Sequence, residues 1–154
     1  LTRIPGRRDV GAPRSPPVIR AGKARLREGT PAILDAPPGT SCPVIAAVRG
    51  ADLVVLVTEP TPFGLHDLAL AVEVMKEIGL PFGVVVNRMG AGDDRVHRYC
   101  AERRVPIIAE IPDDRRIAEA YSRGELIADA LPEYRSLFDR LLLNIEKSIA
   151  KKAS

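Results

Sequence analysis

The sequence predicts an α/β fold, a parallel sheet flanked by helices, and three observations carry that prediction. Short, continuous, β-branched apolar runs recur at AILD (32–35), DLVVLVTEP (52–60), FGVVVN (82–87) and VPIIAEIP (105–112). Strands covered on both faces read this way, whereas half-exposed antiparallel strands alternate polar with apolar positions. Stretches of helical periodicity separate the runs, so strand and helix alternate in four successive units. That alternation argues for parallel pairing through right-handed crossovers.

Each element has its own signal. AILD ends in Asp35 and breaks at once into Pro37-Pro38-Gly39, after which PVIAAVRG (43–50) suits a short helix. DLVVLVTEP leads into PFGLHDLALAVEVMKEIGL, where Leu65, Leu68, Val72, Met75 and Gly79 recur at three- and four-residue spacing. Asp67, Glu73, Lys76 and Glu77 fall mostly elsewhere, so one face packs and the other meets water. Thr61 before Pro62 marks the start of this helix and Gly79 its stop. FGVVVN precedes a helix over DDRVHRYCAERR, and VPIIAEIP precedes one over DDRRIAEAYSRG. The closing PEYRSLFDRLLLNIEKSIAKK reads as an amphipathic helix with Tyr134, Phe138, Leu141, Ile145 and Ile149 on one side and lysines at the negative end of its dipole. Its moderate apolar stripe suits packing on the sheet rather than anchoring in a membrane.

At 154 residues, 45% hydrophobic and 28% charged, the chain can bury a sizeable core. Its apolar runs fall far short of the ~20 residues that span a bilayer. The N-terminus LTRIPGRRDVGAPRSPP lacks the apolar core of a secretory signal. The expected location is therefore the cytoplasm. The net charge of +3 conceals an asymmetry: residues 1–27 hold eight Lys/Arg against one Asp, and residues 28–154 hold 15 against 19. We read 1–27 as a basic Pro/Arg leader and lead-in segment and 28–154 as the globular part. A basic leader suits nucleic acid or an acidic membrane surface, but it has no aromatic residue for base stacking, so a solvated or displaced segment is the expectation and nucleic acid is not the expected partner. Cys42 and Cys100 stand far apart in unlike contexts and are expected to be buried free thiols.

Ligands of open parallel sheets bind beyond the carboxyl ends of the strands, so the residues after each run carry the functional reading. An acid ending a buried strand is costly unless a cation or hydrogen bonds hold it. Asp35 therefore reads either as a carboxylate facing magnesium through water or as a cap of the turn into the next helix. Asn87 carries two donors and an acceptor on a planar amide, the equipment for reading a purine edge, and is equally an ordinary turn residue by type. Asp113 and Asp114 precede a helix, where capping is the default for at least one of them. His66 and His97 have no partner at metal-ligand spacing and are expected on exposed helix faces. Cys42, in a loop against a helix start, is a minor candidate for a reactive thiol.

Taken together, ILDAPPGTSCPV, LVVLVTEPTPFGLHDL, FGVVVNR and AEIPDDRRIAEAYSRGE resemble the MinD/ParA/Mrp group of P-loop ATPases. The likeness is greatest to MinD-like ATPases with an inserted ferredoxin domain. It runs from about Val10 to Leu126. The resemblance implies a P-loop NTPase-like sheet, ATP and Mg2+ as ligands of the complete protein, and a dimer or protein partner. It implies that Asp35 is the acid acting on magnesium through water. Gly39 and Thr40 then belong to the switch that senses the γ-phosphate. It further implies that Asn87 hydrogen-bonds adenine with Arg88 adjacent, and that Pro112 and Asp113 lie along the base. Cys42 matches the thiol of the GTSCP variant of the ferredoxin-containing subgroup.

The phosphate loop of that family, Gly-rich and flanked by lysines, has no counterpart in these residues. GRRDVGAP has two suitably separated glycines, but Ala12-Pro13 stands where Lys and Ser/Thr must touch phosphate and magnesium. AGKAR offers Gly22-Lys23, yet Ala24 follows and no glycine stands five positions before Gly22. The cluster-binding cysteines of a ferredoxin insert are absent too, so no iron-sulfur cluster is expected in this chain. The expectation is the C-terminal part of such an ATPase, inactive alone, with its missing strand supplied or covered by a second copy or a partner. Hydrolysis in the complete protein would serve a partner-binding switch linked to iron-sulfur or electron-transfer chemistry. A catalytically silent interaction module is the alternative from another class. A cobyrinic acid a,c-diamide synthase-like domain is a third, less well matched by TEPTPFG and GTSCP.

Overall fold

The computed structural model describes residues 16–26 and 29–150, which cluster as two compact units divided between Ala51 and Asp52. The stretch GRRDVGAP and the rest of the leader before Pro16 lie outside the described residues.

The first unit packs helix α1 (Pro16–Lys23) against helix α2 (Cys42–Val48). Pro43 sits in the first turn of α2, where a missing N–H costs nothing. Val44, Ala47 and Val48 are its buried residues. Lys23 closes the other end: its Nζ donates to the carbonyls of Ala46 at 2.9 Å and Arg49 at 2.7 Å. A cation on the last carbonyls of a helix satisfies orphan acceptors and complements the dipole. The lysine of AGKAR thus serves as a helix cap. Partial burial lowers its pKa.

One expected element is corrected. Residues 31–37, including AILD, form no strand, and Ile33 is 97% exposed. A strand persists through its ladder, and among the described residues this segment has no pairing partner. Hydrophobic content alone cannot hold four residues extended.

The second unit runs β1 (Val54–Thr58), α3 (Pro62–Glu77), β2 (Phe82–Met89), α4 (Arg95–Glu102), β3 (Ile107–Pro112), α5 (Arg115–Ser122), α6 (Ile127–Ala130), a 3-10 turn (Pro132–Tyr134) and α7 (Arg135–Ala150). Its strands form a parallel sheet in the order β1-β2-β3. The register pairs Val54 with Phe82 and continues to Thr58 with Val86. The four expected strand-helix units thus become three in the sheet.

The central strand carries the core. Val84, Val85 and Val86 are all buried, as the continuous apolar run requires of a strand covered on both faces. Val84 and Val86 pack with Leu68 and Val72 of α3, Val96 and Cys100 of α4, and Val105. Leu68, Val72 and Met75 form the buried stripe of α3, each contributing about 1.5–3 kcal/mol by leaving water. Thr61 is its N-cap, accepting from the Gly64 N–H at 3.0 Å, and Pro62 is its first residue. Ile78 and Gly79, at φ 68, end it.

On the opposite face α7 packs against β3, and the Asn144 side chain donates to the Ile108 carbonyl at 2.8 Å. Ile108 in turn covers Gly83. Val55 and Val57 project to that same face from β1, and Val57 is 65% exposed. No helix among the described residues is long and apolar enough to cross a membrane.

Candidate nucleotide-base site at the strand exits

The exits of the three strands are bound to one another. After β1, Glu59 and Pro60 turn the chain into α3. Thr58 donates its hydroxyl hydrogen to the Gly64 carbonyl at 2.9 Å, which pins the first turn of α3 to the end of the strand. A Cβ on Gly64 would lie 2.3 Å from the Glu59 carbonyl oxygen, so this approach demands glycine. The loop after β2 crosses the same place: the Asp93 N–H donates to the Pro60 carbonyl at 3.1 Å. Gly92 passes so close that a Cβ there would fall 1.6 Å from that oxygen.

At the end of β2 the pairing with β3 is irregular between Val86 and Met89, and Arg88 stands at φ 55. A bulge of this kind breaks the ladder and re-aims side chains at a sheet's rim. Its consequence is a cluster. Arg88 Nε donates to Asp113 Oδ1 at 3.1 Å, and its Nη1 donates to Glu59 Oε2 at 3.4 Å. The Asp113 N–H donates to the Met89 carbonyl at 2.9 Å. Asp113, then Glu59, hold the guanidinium above its ordinary pKa. Among the described residues, the side-chain amide of Asn87, which immediately precedes Arg88, has no hydrogen-bond partner, and the residue is half-buried.

Of the sequence-derived candidates, Arg88, Pro112 and Asp113 come together at the exits of β2 and β3, with Pro112 opposite Met89 in the register, and Asn87 immediately precedes Arg88 on β2. Asp35, Gly39 and Thr40 belong to the first unit. Asp35 is exposed in the irregular segment, and Gly39, at φ 89, makes a turn that a side chain would strain. Among the described residues no group of three His, Cys, Asp or Glu side chains could hold a metal ion alone.

The neighbouring acids divide their work. Asp114 caps α5, accepting from the Arg116 N–H at 2.9 Å. Its carboxylate also accepts from the Arg116 guanidinium at 2.6 Å and the Tyr134 hydroxyl at 2.7 Å. Those bonds, the guanidinium first, hold Asp114 far below the usual carboxylate range. Asp113 takes no part in this cap and instead accepts from Arg88.

Three features escaped the sequence. The pairing of Glu59, itself a residue at a strand exit, with Arg88 spans 29 residues. His97 is not a free surface histidine, because its Nε2 lies 2.5 Å from Glu110 Oε1 across α4 and β3. Cys42 is exposed and not buried, because it opens α2 at the helix start; Cys100 is buried, and burial pushes its thiol up.

The fold is that of MinD-type ATPases. It matches the cell division ATPase MinD of Pyrococcus furiosus with a TM-score of 0.60 and 32% identity, over 73% of this chain and 50% of that one. It also matches the septum site-determining protein MinD of Pyrococcus horikoshii, solved in complex with Mg-ADP, with a TM-score of 0.59 and 27% identity, over 85% and 54% of the two chains. Among curated proteins it is similar to an uncharacterized protein of Methanocaldococcus jannaschii, 38% identical over 93 residues, or 60% of this chain. It is similar to the iron-sulfur cluster carrier protein of Aquifex aeolicus, 26% identical over 134 residues, or 77% of this chain. The chain spans 31% and 36% of the lengths of these two relatives. No family model matches it.

Proposed function

We propose that this chain is the C-terminal part of a MinD/ParA-like ATPase, supplying the base side and the magnesium side of a site whose phosphate loop lies on residues outside it. The likeness to Pyrococcus furiosus MinD, at 32% identity over a shared sheet, is the observation that carries the reading. The Mg-ADP in the Pyrococcus horikoshii relative supports nucleotide and magnesium as the ligands.

In this reading the Asn87 amide is the reader of adenine, because its donors and acceptor are uncommitted at the sheet's rim. Pro112 and Asp113 border the base. Asp35 holds magnesium through water, and Gly39 and Thr40 form the turn that senses the terminal phosphate. Magnesium supplies charge neutralisation on the phosphates when bound. Backbone amides and lysine charge of a phosphate loop provide most phosphate affinity in such sites, so the chain by itself is inactive. In the complete protein, hydrolysis drives a dimer or partner-binding switch. The similarity to an iron-sulfur cluster carrier supports a link to iron-sulfur chemistry.

The solvent-exposed segment around Asp35 also favours a second reading, a silent interaction module that keeps the fold without the activity. Titration of a fluorescent adenine nucleotide with magnesium separates the two. Binding that falls about tenfold in Asn87→Ala, as loss of a net hydrogen bond implies, supports the ATPase reading. No binding at millimolar nucleotide to the longest natural polypeptide containing this chain sinks it.

A further inference from the structure

We propose that Arg88 is a positioning residue: its guanidinium, shared between Glu59 and Asp113, sets the aim of the neighbouring Asn87 amide and does not itself touch the base. The inference rests on the adenine-site reading above.

The backbone comes first. Arg88 at φ 55 occupies the left-handed region, which residues other than glycine, asparagine and aspartate seldom adopt. The irregular pairing between Val86 and Met89 shows that the chain turns out of the ladder at this residue. A conformation disfavoured by the local chain persists where the surroundings hold it. Here the holders are visible. Asp113, just past β3, takes the Nε hydrogen at 3.1 Å, and Glu59, just past β1, takes an Nη1 hydrogen at 3.4 Å. The Met89 carbonyl, one residue on, accepts from the Asp113 N–H at 2.9 Å. Three strand exits are therefore joined through one side chain, with Asn87 immediately before it.

The ion pairs are too exposed to serve chiefly as stabilisers. The Arg88 side chain is 53% exposed and its partners 42% and 44%, a setting in which such pairs contribute little. Their consequence is geometric. A planar guanidinium holds two carboxylates at fixed angles, which the point charge of a lysine cannot reproduce. With its donors turned toward Glu59 and Asp113, Arg88 leaves the Asn87 amide as the uncommitted group at the rim.

The test compares Arg88→Ala, Arg88→Lys and Glu59→Gln in the longest natural polypeptide containing this chain. Affinities for Mg-ADP and Mg-GDP are measured by calorimetry, with thermal melting alongside. We expect discrimination between the two bases to fall roughly tenfold in both Arg88 variants, the low end of what a misplaced recognition group costs, with lysine giving no rescue. Glu59→Gln is expected to give part of the loss, and melting to stay unchanged. If Arg88→Ala fails to fold, the lysine and glutamine variants decide. Unchanged discrimination overturns the inference, and so does equal weakening of both nucleotides, with or without a lower melting temperature. Absence of binding by the unmutated protein overturns the adenine reading and this inference with it.

Discussion

Replacing Gly92 with alanine tests whether the loop after β2 is locked against the loop after β1. The new Cβ would lie 1.6 Å from the Pro60 carbonyl oxygen and 2.7 Å from its carbon, whereas real Cβ atoms essentially never come within 3.0 Å. The two segments must therefore separate by about 1.4 Å at this point, the difference between the two distances. The obstacle is backbone and cannot rotate aside. Separation on that scale breaks the 3.1 Å bond from the Asp93 N–H to the Pro60 carbonyl, and Pro60 is among the most deeply buried residues. A buried polar group left unpaired costs about 1–3 kcal/mol. With loosening of the adjacent packing the total comes to about 2–4 kcal/mol, in the range of overpacked interiors. Gly83→Ala is the comparison: the three atoms nearest its Cβ all belong to the Ile108 side chain, the closest at 2.8 Å, so the clash is with a side chain and not with backbone. It should cost about 1 kcal/mol. Urea unfolding followed by circular dichroism reads both as shifts of the midpoint at constant slope. A Gly92→Ala variant within about 0.5 kcal/mol of the parent, the scale of ordinary surface changes, refutes the locked crossing, as does Gly83→Ala proving the more costly.

Two further outcomes follow from the core and the cap. Met75→Ala, at a side chain 2% exposed in the α3 stripe, should destabilise by about 2–5 kcal/mol in the same urea assay. The Asp114 carboxyl is depressed by Arg116 and Tyr134, so its contribution is present above the unfolded aspartate value of about 3.9 and fades as pH falls below it. Asp114→Asn should therefore melt below the parent at pH 7, with the gap narrowing as the pH is lowered from 4 toward 2; a gap that is constant over that range excludes the carboxylate as its source.

How far the sequence could be read depended on the range of the interactions. β2 was legible because burial on both faces leaves a continuous apolar run, β1 and β3 because they carry similar β-branched runs although only part of each is buried, and α3 because Thr61-Pro62 and Gly79 mark its ends within a few residues. The segment 32–35 has the same composition, yet composition does not supply a neighbour to pair with. Asn87 and Asp113 were legible as residues at strand exits, and a cap was legible for at least one of Asp113 and Asp114, which the fold gives to Asp114. The Arg88 bulge was not, because arginine gives no local sign of a left-handed backbone and its two holders stand 25 and 29 residues away. His97 with Glu110 was hidden for the same reason, and the four-residue helix α6 is too short to show a period.

The outer margin of β1 bears on how the molecule can be handled. Among the described residues that margin has no ladder neighbour, and Val55 and Val57 beside it face outward. Bare backbone beside bare valine is a template for adding strands from other molecules. Purified by itself at high concentration, the chain should pair β1 to β1 as a dimer, and Val57→Lys should keep it monomeric, as size-exclusion chromatography would read.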